Sequence, residues 1–484
     1  MTAALRRSVT SLQVPNYRRY FAGQLISVSG NWTQIVAEMW LILTLTGSGV
    51  AAGLVSALQF LPILLFGAWG GLLADRLPKR RLLIATQLLM AVPALALFGV
   101  TATGIVAPWM VYALVFARGA VNSVDNPTRQ SFAIEMVGSD RIVNAVGLNS
   151  VLIHAARIVG PAVGGALILT LGVAPCFLVN ALSFGAMVVA LRGMDPAQLR
   201  PSAPADGEPG ALGAVRAALA YVRRTPELAI PLAMMALVGT LGFNFLTILP
   251  LLARFTFDGG AGAYTTLAVA MGVGSVFGAL ATGTRSRIGP GLLTGAALAF
   301  GCVALVAAAA PTLAVEAALL VPLGAASVTF AASVNSALQL SADPQMRGRV
   351  MALYAIVFLG STPIGGPLTG LLAETAGPRS GLLLAGAAAL TAAVGARIAF
   401  ARFRNDAAHD EPADRQARDP VGGFGRDPDD RRRMRREGGA RPEHAGSGPA
   451  AGRDRIRDRG HLAGPAAPEG DEALPRDRHD RVAR

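Results

Sequence analysis

The chain has 484 residues, of which 52% are hydrophobic and only 15% charged, and its mean hydropathy is +0.48. That balance excludes an ordinary soluble enzyme and points to a protein that crosses a bilayer many times. The net charge of +13 is no sign of nucleic acid, because the charges cluster in short links between apolar runs and in the C-terminal segment. In a membrane protein such an excess marks cytoplasmic loops and contact with anionic lipid.

In chain order, residues 1–19 carry Arg6, Arg7, Arg18 and Arg19 without an apolar core, so no cleavable signal peptide is expected. Twelve apolar runs follow, near residues 20–45, 50–73, 82–103, 109–130, 143–171, 175–191, 228–252, 262–283, 289–310, 312–338, 349–373 and 379–401. Each is about the ~20 residues a helix needs to span hydrocarbon. Positive charge gathers in alternate links: Arg76 to Arg81, then Arg129 and Arg141, the long middle link, Arg285 and Arg287, and Arg347 and Arg349. The intervening links hold Arg254 and Arg379. This asymmetry predicts that both termini and the middle link are cytoplasmic, in a plasma (inner) membrane.

Residues 192–227, with Pro196, Pro201, Pro204 and Pro209, form the one long internal link. It separates a six-helix bundle at 20–191 from a second at 228–403. Beyond, residues 404–484 mix Arg, Asp, Gly and Pro without a hydrophobic pattern and are expected to be disordered, at most touching anionic lipid. The histidines of that tail are too scattered for a metal site. Cys176 and Cys302 lie inside apolar runs and read as small packing residues.

Polar residues inside the runs carry the functional expectations. In the first run Gln24, Ser27, Asn31, Gln34 and Glu38 recur at helical spacing on one face. Such a stripe must face protein or a wet cavity, either as interhelical glue or as a site. The fourth run has Arg118, Asn122, Asp125 and Arg129. At 1.5 Å per residue, Glu38 and Arg118 lie roughly 10 and roughly 14 Å from the same membrane face, close enough in depth to pair. The pair is either a permanent structural bridge or a proton-exchanging carboxyl biased by its cation. The fifth run adds Ser150, His154, Arg157 and Pro161 on one face. His154 reads as a relay or as a satisfied hydrogen-bonding residue, and Arg157 is a cation in excess of the single carboxylate. The second half offers Thr240, Asn244, Thr247, Thr329, Ser333 and Ser336, with Phe243, Phe245 and Phe330 as apolar wall candidates.

Between the second and third runs stands Gly71-Leu-Leu-Ala-Asp75-Arg76-Leu-Pro78-Lys79-Arg80-Arg81. The three cations fix a cytoplasmic turn, Gly71 would let two helix backbones approach closely, and Asp75 is placed as a latch. This turn resembles the loop between helices 2 and 3 of the major facilitator superfamily, with Pro78 where that pattern usually has Gly. The fifth run resembles the superfamily's antiporter motif through Gly147, Gly160-Pro161 and Gly164-Gly165, with Ala156 replacing one Gly. Two further segments resemble its enterobactin-exporter and macrolide-efflux branch: Asp125-Asn-Pro127-Thr-Arg129-Gln130 through Asn149, and Arg347-Gly348-Arg349-Val350-Met351 followed by Gly365-Gly366.

The resemblance implies an all-α major facilitator fold of twelve transmembrane helices in two six-helix halves. It further implies alternating access and export, with Asp75, Arg76, Lys79 and Arg80 forming a cytoplasmic gate with Asp125 and Arg129. The matching second-half loop, Thr282 to Arg285, lacks the acid. The expected function is proton-coupled export of an amphipathic small molecule such as a drug or siderophore, by a monomer that needs no cofactor beyond the proton gradient. Asn31, Gln34, Asn122, Asn244, Phe243 and Ser333 are the expected cavity residues. Uptake of a small solute is the alternative. A membrane-embedded enzyme or receptor fits poorly, since neither a catalytic cluster nor a reporting domain is visible.

Overall fold

The computed structural model describes residues 10–200, 211–283 and 289–418. The chain divides into two compact units, Met1–Arg415 and Gln416–Arg484, and the architecture below is that of the first. Hydrocarbon leaves no water to satisfy backbone groups, so apolar runs of this length become helices.

The first half comprises α1 (Pro15–Thr46), α2 (Gly49–Arg76), α3 (Lys79–Ala102), α4 (Pro108–Val137), α5 (Ile142–Leu171) and α6 (Ala174–Arg192). The connections are tight. Gly47 ends α1 at a φ of +64°, which favours glycine, and the Ser48 hydroxyl accepts the Ala51 N–H to start α2. The link carries the helix α7 (Ala211–Arg224), which packs on the second half through the buried Ala218 and Val222. There follow α8 (Pro226–Gly242), α9 (Phe245–Leu251), α10 (Ala261–Gly283), α11 (Pro290–Ala308), α12 (Leu313–Ser341), α13 (Arg347–Gly360), α14 (Thr362–Ala376) and α15 (Ser380–Arg418).

Two runs expected as single helices are interrupted. One breaks at Phe243 and Asn244, where the Asn244 side chain donates to the Thr240 carbonyl at 2.7 Å in place of the lost backbone donor. After α9 it continues as one π-helical turn, Leu252–Thr256. The other breaks at Ser361, two residues before Pro363, which has no N–H to donate to the preceding turn. α15 runs to Arg418, past the Phe403 at which the hydrophobic pattern closes the second bundle. The disorder expected of the rest of the tail, and the loop containing Thr284, Arg285 and Arg287, lie outside the described residues.

Among the described residues, ten helical runs are long and apolar enough to cross a membrane. α1 and α4 complete the expected twelve, and they fall short because they carry the two polar stripes. The protein is thus a multi-pass membrane protein with one basic end, bearing Arg76, Arg80, Arg81, Arg192 and Arg347, and one charge-poor end.

The halves join near the charge-poor end, where α2 lies along α14 and α5 along α10. These crossings are made by glycine. A Cβ on Gly49 would stand 2.6 Å from the Gly370 carbonyl, and one on Gly53 would overlap the Gly366 carbonyl. A Cβ on Gly165 would overlap Thr265. Polar contacts add to the seam. The Glu374 carboxylate accepts the Ser48 hydroxyl at 2.9 Å and the Val50 N–H at 3.1 Å, and Ser56 shares a hydrogen bond with Thr247 at 3.0 Å. Toward the basic end the seam loosens to Leu64 against Gly360, and the inner face of the first half opens as a cavity.

Gly71 does not provide the close approach expected of it: its Cα faces open space. The neighbouring Gly70 takes that part, since a Cβ there would overlap the Ser123 carbonyl of α4. The loop motif marks the turn without revealing which of two adjacent glycines faces the neighbour.

Candidate functional site

Two cavities lie on the inner faces of the bundles. One, of about 370 Å³, sits between the halves and is lined from the first half by Asn31, Trp32, Gln59, Arg118, Asn122, Arg157 and Pro161. The second half supplies Phe243, Asn244, Phe245, Tyr264, Met271 and Phe358. The other, of about 830 Å³, extends toward the basic end along Tyr20, Gln24, Asp125, Arg129 and Asn149. Asn31, Arg118 and Asn122 line both, so they form the shared wall.

The polar stripes converge there. Arg118 Nη2 donates to Glu38 Oε2 at 2.8 Å, and Nη1 donates to Asn31 Oδ1 at 2.6 Å. Gln59 Oε1 lies 3.4 Å from Nη2. The other Glu38 oxygen accepts from Gln34 Nε2 at 2.7 Å, and Gln34 Oε1 accepts from Asn180 Nδ2 at 2.5 Å. Glu38 is wholly buried and Arg118 is 5% exposed. The arginine, one face on the cavities, therefore stands between solvent and the carboxylate. Arg118 Nε is buried without a hydrogen-bond partner.

One turn or more toward the basic end lies a second cluster. Asp125 accepts from Thr86 Oγ1 at 2.6 Å and Gln87 Nε2 at 2.8 Å, and it pairs with Arg129, which also donates to Gln24 at 3.0 Å. Lys79 pairs with Glu135 at 2.6 Å rather than with Asp125. Arg80 donates to the Leu191 and Arg192 carbonyls at 2.7 and 2.9 Å and so caps α6. Asp75 and Arg76 are exposed, without a hydrogen-bond or ion-pair partner among the described residues. Lys79 and Arg80 thus brace α3 against α4 and α6 within the first half in this arrangement, which is open toward the basic end. The resemblance implies the assembly of Asp75, Arg76 and Lys79 around Asp125 for the state open at the opposite end.

The antiporter-like residues divide by face. Cβ atoms on Gly160 and Gly164 would press on α1 at Trp32 and Thr33, and Gly165 faces α10. Pro161 lines the inter-half cavity. Gly147 faces open space. His154 lines neither cavity, and its Nδ1 is buried without a hydrogen-bond partner. Gln34 is interior and lines neither cavity, its amide being held between Glu38 and Asn180. Ser333 lines neither of them, its hydroxyl being bonded to the Thr329 carbonyl at 2.7 Å. Phe330 stands behind Phe243, ring to ring at 6.1 Å.

Several residues were not foreseen. Gln59, Thr86, Gln87 and Asn180 complete the two networks; they are single amides and hydroxyls without stripe periodicity, which leaves nothing to flag them. Glu316, 1% exposed in the first turn of α12, is a buried second-half carboxylate that sequence position placed at a helix end.

A family model described as transmembrane secretion effector matches residues 7–422. The multidrug efflux pump Tap of Mycolicibacterium fortuitum is 28% identical over 368 residues, 73% of this chain and 88% of its own. The staphyloferrin A transporter of Staphylococcus aureus is 28% identical over 169 residues, a match spanning 34% of this chain and 42% of that protein. Among solved structures, the nucleoside transporter NupG superposes with a TM-score of 0.64 at 14% identity, covering 80% of this chain and 99% of its own. The glycine-sealed pair of bundles and the family match agree, and the chain belongs to the transmembrane secretion effector family of the major facilitator superfamily.

Proposed function

We propose that the protein exports an amphipathic small molecule across the plasma membrane in exchange for protons, by rocking its two halves about the cavity between them. The observation that carries this is the placement of Arg118: it lines both cavities while holding the fully buried Glu38. A change in what Arg118 touches is then also a change in the proton affinity of Glu38, which couples cargo to protons. The basic end is cytoplasmic by the charge rule, so the seam at the charge-poor end closes the outside and the cavities load from the cytoplasm. Both termini lie in the cytoplasm, and the chain works as a monomer with the proton gradient as its energy source. Export rather than uptake is supported by the multidrug efflux pump among its relatives and by the secretion effector family model it matches.

Inverted membrane vesicles provide the test. Vesicles bearing the wild-type chain should accumulate an amphipathic fluorescent dye when their interior is acidified. Glu38→Gln vesicles should contain folded protein yet accumulate dye equally with and without the gradient. Gradient-driven uptake by Glu38→Gln would overturn the coupling role, and its absence in the wild type would overturn export.

A further inference from the structure

The cations lining the inter-half cavity are Arg118 and Arg157, and no Asp or Glu lines it. Arg118 is neutralised by Glu38. Arg157 is not: its Nε is buried without a hydrogen-bond partner, and no carboxylate stands within ion-pair distance of it among the described residues. Its one ring contact is with Trp32, whose face lies 5.3 Å from the guanidinium carbon. A ring on one face steadies the guanidinium plane and leaves its N–H edge free. A half-buried cation with its Nε unpartnered and a free donor edge is costly unless something anionic completes it. Across the cavity, Phe243, Phe245, Phe358 and Met271 offer apolar surface and no charge.

We propose that Arg157 is an anion subsite, so that the exported molecules carry a carboxylate or similar anion at one end and an apolar, aromatic-rich body at the other. The inference rests on the export reading and sharpens it. The anion takes both N–H groups of the Arg157 edge, and the body lies against the phenylalanines of the second half. A cationic amphiphile of the same shape meets the uncompensated charge of Arg157 and is disfavoured. The ligand is a solute entering from the cavity rather than an anionic lipid headgroup, because Pro161 and Trp32, which flank Arg157, are themselves cavity wall.

Three pyrene probes of one scaffold test this: pyrenebutyrate, pyrenebutanol and pyrenylbutyl-trimethylammonium. The full chain is placed in phosphatidylcholine nanodiscs, and binding is read as tryptophan-to-pyrene energy transfer above that of nanodiscs loaded with an unrelated membrane protein. Pyrenebutyrate should bind about tenfold more tightly than the alcohol, the worth of a charge-assisted contact, and the ammonium should bind more weakly than both. Arg157→Gln should lower the butyrate affinity to that of the alcohol while leaving the alcohol unchanged, and Arg157→Lys should keep part of the preference. The wild-type ranking decides the matter even if a variant folds poorly. Equal binding of butyrate and alcohol would overturn the anion subsite and leave the export reading standing. A cavity that bound none of the three would overturn both. Loss of the butyrate preference when phosphatidylglycerol is added would give the subsite to lipid and overturn the assignment to a solute.

Discussion

Arg118 joins three helices at one point: from its own place on α4 it bonds Asn31 and Glu38 on α1 and, at the limit of hydrogen-bond distance, Gln59 on α2. Removing either partner of such a buried pair is not symmetrical. Arg118→Ala leaves the wholly shielded Glu38 carboxyl without its cation, and should destabilise the protein by about 3–5 kcal/mol. Glu38→Gln keeps an amide oxygen for Arg118 and should cost much less. The double variant Glu38→Gln/Arg118→Ala should recover most of the loss, so thermal unfolding of the purified protein should rank Arg118→Ala below both. A double variant as unstable as Arg118→Ala alone would mean that packing, not charge, sets the cost. This pair was legible in the sequence, because 3.6-residue periodicity fixed the faces and helix rise fixed the depth of Glu38 and Arg118. The amides around it were not. Gln59 and Asn180 belong to no polar stripe, and only the angle between helices brings them to the carboxylate's own partners, Arg118 and Gln34. Ser333 shows the opposite failure: a polar residue on an inner helix satisfied by its own backbone.

At the scale of the helix, the crossing of α2 and α14 is set by what is missing from Gly49, Gly53, Gly366 and Gly370. Gly53→Val puts a branched side chain into the Gly366 carbonyl, an overlap worth about 1–3 kcal/mol, enough to shift the closed population by about tenfold. A cysteine at Thr247, buried beneath this seam, should then react with a membrane-impermeant maleimide about tenfold faster than in the Gly53 background, with the exposed Cys302 replaced by Ala in both. An unchanged rate would show that the seam does not gate access. Sequence signalled these glycines only in part. Gly365 and Gly366 were visible in the segment that follows Arg347-Gly348-Arg349-Val350-Met351, whereas no motif singles out Gly49 and Gly53. The breaks at Phe243 and Ser361 were also unread: hydropathy continues through both, and only the local chemistry of Asn244 and Pro363 interrupts the ladder.

For the molecule as a whole, charge chemistry is unequally shared. Among the described residues, the ion pairs Glu38–Arg118, Asp125–Arg129 and Lys79–Glu135 are all internal to the first half, and the second half meets the inter-half cavity with aromatic groups and the Asn244 amide. If rocking carries the cargo, pinning the charge-poor end must stop it. A Ser48→Cys/Glu374→Cys pair, placed where those side chains now touch at 2.9 Å, should abolish gradient-driven dye uptake when oxidised and restore it with dithiothreitol, while pyrene-probe binding from the basic end persists. Uptake that survives the crosslink would exclude rigid-body rocking at this seam.

The glycine crossings also bear on leakage. Where backbone rests directly on backbone, no rotamer flip can open a gap for a proton or a stray solute to slip past. Breaching that barrier demands that an entire helix be displaced, so this end stays tight for as long as α2 rests on α14.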